Sequence, residues 1–314
     1  MHIGPSVDVD DSPSPSSSFS YAPLYISHRH LHTEESNVTV IQNPTSPALM
    51  APINVCPRRF IDSDTLRLVE FSENDFIPPY AILSHKWIWG SEVRYDEFKR
   101  PYEETFLMPG YQKIKAACQQ ASRDGIRLVW LDTCCIDYGR PADIAINVIS
   151  MYAYYQNAEV CYTYLADIVD GSTLGGSEWF RRGWTLQELL APRTVVFFNR
   201  YWQRIGDKRQ LQNDLHWITT IPPAVLSGES SIQDIDVLTR ISWAKGRKTT
   251  REQDLAYSLQ GLLGVSIQPD FQESYLCSFK RLGKALLDVR PELKERLGLN
   301  DELFSDDDQF SVFT

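Results

Sequence analysis

Apolar residues recur along this chain in two rhythms, and the points where the rhythm changes mark its parts. Two short apolar runs around Asp62-Ser63-Asp64 in Arg58–Phe71 (RRFIDSDTLRLVEF) predict a strand pair or a strand with a turn. Pro78-Pro79 breaks the chain before Tyr80–Leu83 (YAIL), a compact apolar strand that ends in Ser84-His85-Lys86-Trp87. Pro109-Gly110 opens a helix in which Tyr111, Ile114, Ala117, Cys118 and Ala121 recur at helical spacing, and Gly125 is placed to end it. Leu128–Leu131 (LVWL) is a continuous apolar run, suited to a strand covered on both faces, and it gives way to Asp132-Thr133-Cys134-Cys135. A second helix is predicted over roughly Ala142–Gln156, with Ile144, Val148, Met151 and Tyr155 along one side. Val160–Leu165 (VCYTYL) reads as a third strand, ending at Asp167.

A Gly-rich link (Gly171–Gly176) leads into Trp179–Arg193, WFRRGWTLQELLAPR. Read as one helix, this stretch lines up Leu186, Leu189 and Leu190 as an apolar stripe and sets Arg181, Trp184 and Glu188 on a second stripe. Pro192 stops the helix, and Thr194–Phe198 (TVVFF) resumes as a fourth strand. Strand and helix thus alternate three times before a closing strand. That order predicts an α/β fold with a doubly wound, mainly parallel sheet, in which ligands sit at the carboxyl ends of the strands. Those ends carry His85, Asp132, Cys134 and Asp167.

Beyond Trp202 the alternation stops, and Leu211–Ile218, Leu238–Trp243, Gln253–Leu263 and Ser278–Leu287 read as helices. The expected organisation has four parts. A Ser/Pro-rich tail over 1–57 is too polar and too often broken by proline to pack a core. An α/β domain follows over 58–205, then an α-helical extension over 206–296 and an acidic flexible tail over 297–314.

Composition narrows the class. A formal net charge of −10 argues against a nucleic-acid partner, which would call for a basic stripe. No run approaches the length of a membrane span, and no secretory signal precedes the six cysteines, so a cytoplasmic protein with reduced cysteines is expected. His28, His30 and His32 alternate in the N-terminal tail without further ligands nearby; they read as surface histidines, and no metal is expected. The Gly171–Gly176 link is not followed by a Lys-Ser or Lys-Thr pair, which speaks against a phosphate loop.

Several of these words together resemble a known family. YAILSHKW (80–87), GYQKIKAACQQASRDG (110–125), WLDTCCID (130–137), VCYTYLAD (160–167) and WFRRGWTLQELLAPR (179–193) are similar, in the same order, to the fungal heterokaryon incompatibility (HET) domain. The similarity runs from about residue 58 to about residue 265 and includes ISWAKGRKTTREQDLAYSLQGLLGV (241–265). It departs from the family at Ile146 and Ile149, where members usually show Glu and Asn, and after Val265, where SIQPDFQES replaces a family loop. The resemblance implies a protein of fungal non-self recognition whose domain triggers cell death when incompatible cells fuse. It also implies a distant likeness to TIR domains, which share a flavodoxin-like doubly wound fold. In TIR enzymes that cleave NAD the reactive glutamate follows a tryptophan, as S-x-W-C-x-x-E. Here Ser177-Glu178-Trp179 begins that pattern, and Glu188 is the best match after an insertion.

Three readings of the chemistry follow. In the first, the protein is an NAD glycohydrolase that needs no metal or cofactor, NAD being the substrate. Cleavage of the nicotinamide–ribose bond creates oxocarbenium character that a carboxylate stabilises. Glu188, Asp132 and His85 are then the catalytic group, and Trp184, Arg181, Ser84, Trp87 and Cys134 bind substrate. Taken without the resemblance, Glu188 more simply pairs with Arg181 or Arg193 as a salt bridge. In the second reading the chain is a non-catalytic module that forms a homo-oligomer and answers to a separate sensor protein. The third is a cysteine hydrolase built from Cys134 or Cys135 with His85, although cysteines after a buried strand are more often packed and inert.

Overall fold

Asp62 sets the first turn. Its Oδ1 accepts from the backbone N–H of Asp64 and Thr65 and from the Thr65 hydroxyl, at 3.1, 2.9 and 3.0 Å. Leu66 takes a positive φ of 54°, and β1 (Arg59–Asp62) folds back antiparallel on β2 (Arg67–Glu70). This is the predicted strand pair. The computed structural model describes residues 55–296. The expected tails, but for positions 55–57, lie outside the described residues, and so do His28, His30 and His32.

The chain continues through β3 (Tyr80–His85), α1 (Tyr95–Lys99), α2 (Pro109–Arg123), β4 (Leu128–Trp130), α3 (Asp132–Cys135), α4 (Pro141–Asn157) and β5 (Val160–Tyr164). It then forms α5 (Thr185–Leu190), β6 (Val195–Phe198) and β7 (Arg204–Asp207). Proline begins both α2 and α4, and Gly125, at a φ of +73°, follows the end of α2, as its position predicts.

These strands make one seven-stranded sheet in the order β2-β1-β4-β3-β5-β6-β7. The neighbours β4, β3, β5 and β6 are parallel, whereas β1 joins β4, and β7 joins β6, antiparallel. The sheet is therefore mixed, a parallel centre with antiparallel edges. In β3, which has parallel neighbours on both sides, every residue is buried, polar Ser84 and His85 included.

Two expectations need correcting. β7 is a strand in the stretch after Trp202 where only helices were expected, and it straddles the 205/206 boundary. The stretch 179–193 is also not one helix. A 3-10 turn covers Glu178–Arg181, Arg182 is extended (ψ 139°), and α5 starts at Thr185. The cause is close packing at Gly183. A Cβ there would lie 2.7 Å from Thr249 Cγ2 and 2.8 Å from Leu255 Cδ1. The backbone bonds sideways instead, Gly183 N to Lys248 O at 2.8 Å and Lys248 N to Arg181 O at 2.7 Å. Arg181 and Glu188 consequently share no stripe.

The later chain forms α6 (Gln212–Thr219), α7 (Pro223–Ser227), α8 (Val237–Ser242), α9 (Asp254–Leu263), α10 (Tyr275–Val289) and α11 (Glu292–Arg296). Helix α9 packs against α4 and α5. Gly261 permits that approach, since a Cβ on it would stand 2.2 Å from Tyr152 Cβ. Gln260 Nε2 donates to Val148 O at 3.1 Å across the same contact.

Candidate active site

The site is built at the carboxyl ends of β3 and β4, beneath α5. Its centre is Glu188, in the first turn of α5 and only 6% exposed. The Ser84 hydroxyl, near the end of β3, donates to Glu188 Oε2 and accepts from Trp179 Nε1 at 2.8 Å. Tyr155 of α4 donates to Leu83 O at 3.1 Å and also faces the Glu188 carboxyl. Burial pushes Glu188 up to about 8; Ser84, Tyr155 and the Arg182 charge pull the other way, and neighbouring Asp132 adds to the rise.

Asp132 opens α3, one residue beyond β4, and lies at the lip of the site, its side chain 24% exposed. Its Oδ2 accepts from Trp87 Nε1 at 2.7 Å, while Oδ1 is buried and has no hydrogen-bond partner. Burial raises Asp132 to about 6, opposed by the Trp87 hydrogen bond and by the charges of Lys113 and Arg182. His85 Nε2 lies 3.8 Å from Asp132 Oδ1 and 3.8 Å from Glu92 Oε2, too far for a hydrogen bond to either. Burial, then Lys113 and Arg182, hold His85 well below its ordinary value, so its imidazole is neutral at physiological pH. Lys113 reaches Glu92 at 2.6 Å, a buried ion pair behind the histidine.

Unpartnered atoms gather here. The buried side-chain atoms without a hydrogen-bond partner include His85 Nε2, Asp132 Oδ1, Arg182 Nε and Gln187 Nε2. Such atoms are rare in folded proteins, because each costs its desolvation without return. Of these groups, Asp132 and Arg182 act on the Glu188 carboxyl, and His85 Nε2 faces Asp132 Oδ1 at 3.8 Å. A cleft of about 210 Å³, lined by Trp87, Ile88, Trp89, Glu92, Arg94 and Met108, adjoins it on the β3 side. A larger cleft of about 440 Å³, lined by residues such as Asp170, Asn199 and Arg204, lies elsewhere, beyond β5 and β6.

Residues 80–175 match the family described as Heterokaryon incompatibility protein (HET). The chain carries a HET domain. The vegetative incompatibility protein HET-E-1 of Podospora anserina is 37% identical over 257 residues, which make up 78% of this chain and 18% of that protein. The chain thus spans less than a fifth of this relative's length. No solved structure gives a significant match. Within the HET match fall Ser84, His85, Trp87, Asp132 and Cys134; Arg182 and Glu188 lie after it.

The fold brings Glu188, Asp132, His85, Ser84 and Trp87 to one place. Trp184 is partly buried, packs against the core and directly precedes α5. Arg181 is not brought in: its side chain is 66% exposed and pairs with Glu178 at 2.7 Å. Arg193 is exposed as well. Cys134 is fully buried, and burial raises its thiol well above the ordinary range, which opposes nucleophilic use. Arg182, Tyr138, Lys113, Glu92 and Asp254 were not singled out from sequence. Only Arg182 had a signal, since a glycine directly after an arginine pair warns that the helix breaks there. Among the described residues no group of three or more His, Cys, Asp or Glu is placed to hold a metal ion, and no helix is long and apolar enough to cross a membrane.

Proposed function

We propose that this chain is an effector of heterokaryon incompatibility that triggers cell death, and that its site hydrolyses NAD at the nicotinamide–ribose bond. The name of the Podospora relative supports the biological half. The chemical half rests on one observation: a buried glutamate whose charged neighbours, Asp132 and Arg182, each keep a buried polar atom unpaired. The parallel order β4-β3-β5-β6 supports reading 58–205 as a flavodoxin- or TIR-like doubly wound domain, with 206–296 as its helical extension.

The groups present suit the reaction. Nicotinamide leaves the ribose as a neutral molecule, so no acid is needed at the leaving group. Positive charge grows on the ribose as the bond lengthens, and a Glu188 carboxylate facing it is worth most in a site shielded from water. Asp132, raised to about 6, is a base suited to take the proton of the attacking water. Arg182 offers an unpaired N–H for an anionic oxygen of the substrate.

The test is release of nicotinamide from NAD by the concentrated, purified chain beside Glu188→Ala. Release by the native protein and its loss in the variant are expected. No release by either would overturn the catalytic reading. A second reading would then stand, a non-catalytic module that forms a homo-oligomer and takes its signal from a separate sensor. The exposed Ile88, Trp89, Tyr102, Phe106 and Leu107, all between β3 and α2, favour that self-association.

A further inference from the structure

A ring of hydrogen bonds ties Glu188 to the start of its own helix. Glu188 Oε2 accepts from the Ser84 hydroxyl, which accepts from Trp179 Nε1 at 2.8 Å. The Trp179 carbonyl in turn accepts from Thr185 Oγ1 at 2.6 Å, and Thr185 opens α5 one turn before Glu188. Trp179 thus joins both ends of the first turn of α5, by its backbone at Thr185 and by its indole, through Ser84, at Glu188. Ser84, Trp179 and Thr185 are each 1% exposed or less, so water does not compete for these bonds.

A buried cation braces this ring from outside the sheet. Arg247 lies in the connection between α8 and α9 and is 7% exposed. Its Nη1 donates to Thr185 Oγ1 at 3.1 Å and to Arg182 O at 3.0 Å, and its Nε donates to Trp243 O at 3.1 Å. A Thr185 hydroxyl that accepts from Arg247 is turned to donate to Trp179 O. The acceptors of Arg247 are two carbonyls and a hydroxyl, with no carboxylate among them. Fastening a turn needs a donor and not a charge, and a buried guanidinium without a contacting counterion costs the fold. Its planar fork spans two segments of chain, and its charge acts on the carboxyl across the ring: burial lowers Arg247 to about 10, with Glu188 opposing that fall.

We infer that Arg247 is a positioning residue of the site, bracing Thr185 and Trp179 so that the Ser84 hydroxyl is held on the Glu188 carboxyl. The inference deepens the reading of Glu188 as the working acid and rests on it. It gives the later helices a part in the chemistry, because Arg247 lies well beyond the matched HET segment. Asp132 of α3, Tyr155 of α4, Cys161 of β5 and Arg182 also face the Glu188 carboxyl. Loss of Arg247 removes a cation and loosens the Ser84 hydrogen bond, both of which favour the carboxylate, so Glu188 becomes a weaker acid.

The test follows the indole N–H of Trp179 by heteronuclear NMR in the full chain, from about pH 5 to about pH 10, with no substrate present. Trp179→Phe assigns the signal, and Glu188→Gln identifies the part of its titration that belongs to Glu188. The native protein is expected to show a midpoint of about 8. Arg247→Met, which loses the donors and the charge, is expected to raise that midpoint by about one pH unit. Thr185→Val, of the same shape, cuts the ring and leaves the charge; a smaller rise is expected, and this variant decides if Arg247→Met does not fold. A residue serving the fold alone would lower the melting temperature and leave the midpoint in place. An unchanged midpoint in either variant would therefore overturn the inference. The titration uses no NAD: a raised midpoint in a protein that cleaves none supports the brace and removes the hydrolase, and cleavage with an unmoved midpoint does the reverse.

Discussion

In the free protein near neutral pH, the Glu188 carboxyl carries its proton. Burial is the cause, and it outweighs the Ser84 hydrogen bond and the Arg182 charge, leaving Glu188 at about 8 and Asp132 at about 6. A reaction that needs the charged carboxylate must therefore improve as pH rises. For NAD cleavage, kcat/KM is expected to climb through about pH 6 and on toward about pH 8, reporting the free protein. In kcat the same limb should lie at lower pH, because a bound cationic ring favours the ionised acids. A pH–rate profile flat across this range would separate the activity from both groups. His85 adds no limb of its own, since it is already neutral there. His85 and Asp132 were legible in sequence as strand-end residues of a parallel sheet, whereas Glu188, on α5, was reached only through the resemblance to the TIR pattern. The difference between Arg181 and Arg182 was not. It depends on one break in a helix, and that break depends on Thr249 and Leu255, which contact Gly183 from far along the chain.

Among the elements, α9 decides how the site is closed. Its approach to α4 and α5 passes through two glycines, Gly261 against Tyr152 and Gly183 against Leu255. A glycine inside a helix ordinarily costs stability relative to alanine, so close contact must be the reason for Gly261. Gly261→Ala is expected to destabilise the protein by about 1–3 kcal/mol through overpacking, despite its better helix propensity. A urea or thermal melt measures this, and a stabilised variant would mean that α9 and α4 are not in contact as described. Arg247 reinforces the same junction, its Nη1 donating to Arg182 O at 3.0 Å and to Thr185 Oγ1 at 3.1 Å. Periodicity located α2, α4, α9 and the strands of the parallel centre well, because each buries a regular face. It missed β7, a short edge strand with two exposed residues and a glycine, which has no buried alternation to read.

For the molecule as a whole, Glu188 and Asp132 cost stability once they ionise, because they are held where charge is poorly solvated. Both acids sit above their unfolded values, so their contribution to stability is present below the ordinary carboxyl range and is lost as pH rises through about 6 and about 8. A carboxyl that hydrogen bonds hold below its ordinary value, such as Asp62, shows the opposite sign. The charge total and the absence of long apolar runs were visible at once in the sequence, and so was the resemblance to the HET family. What sequence could not give was the packing of α9 on α4 of the HET segment, which sets Gln260 against Val148, 112 positions earlier. The measurement that bears most directly on the account is Glu188→Gln, assayed together for NAD cleavage and for melting temperature near pH 8. The variant keeps an acceptor for Ser84 and removes the buried charge. Cleavage should fall at least about a hundredfold while the melting temperature stays level or rises. Cleavage at the native rate, or lost cleavage accompanied by a clear drop in melting temperature, would show that Glu188 serves the fold and not the chemistry.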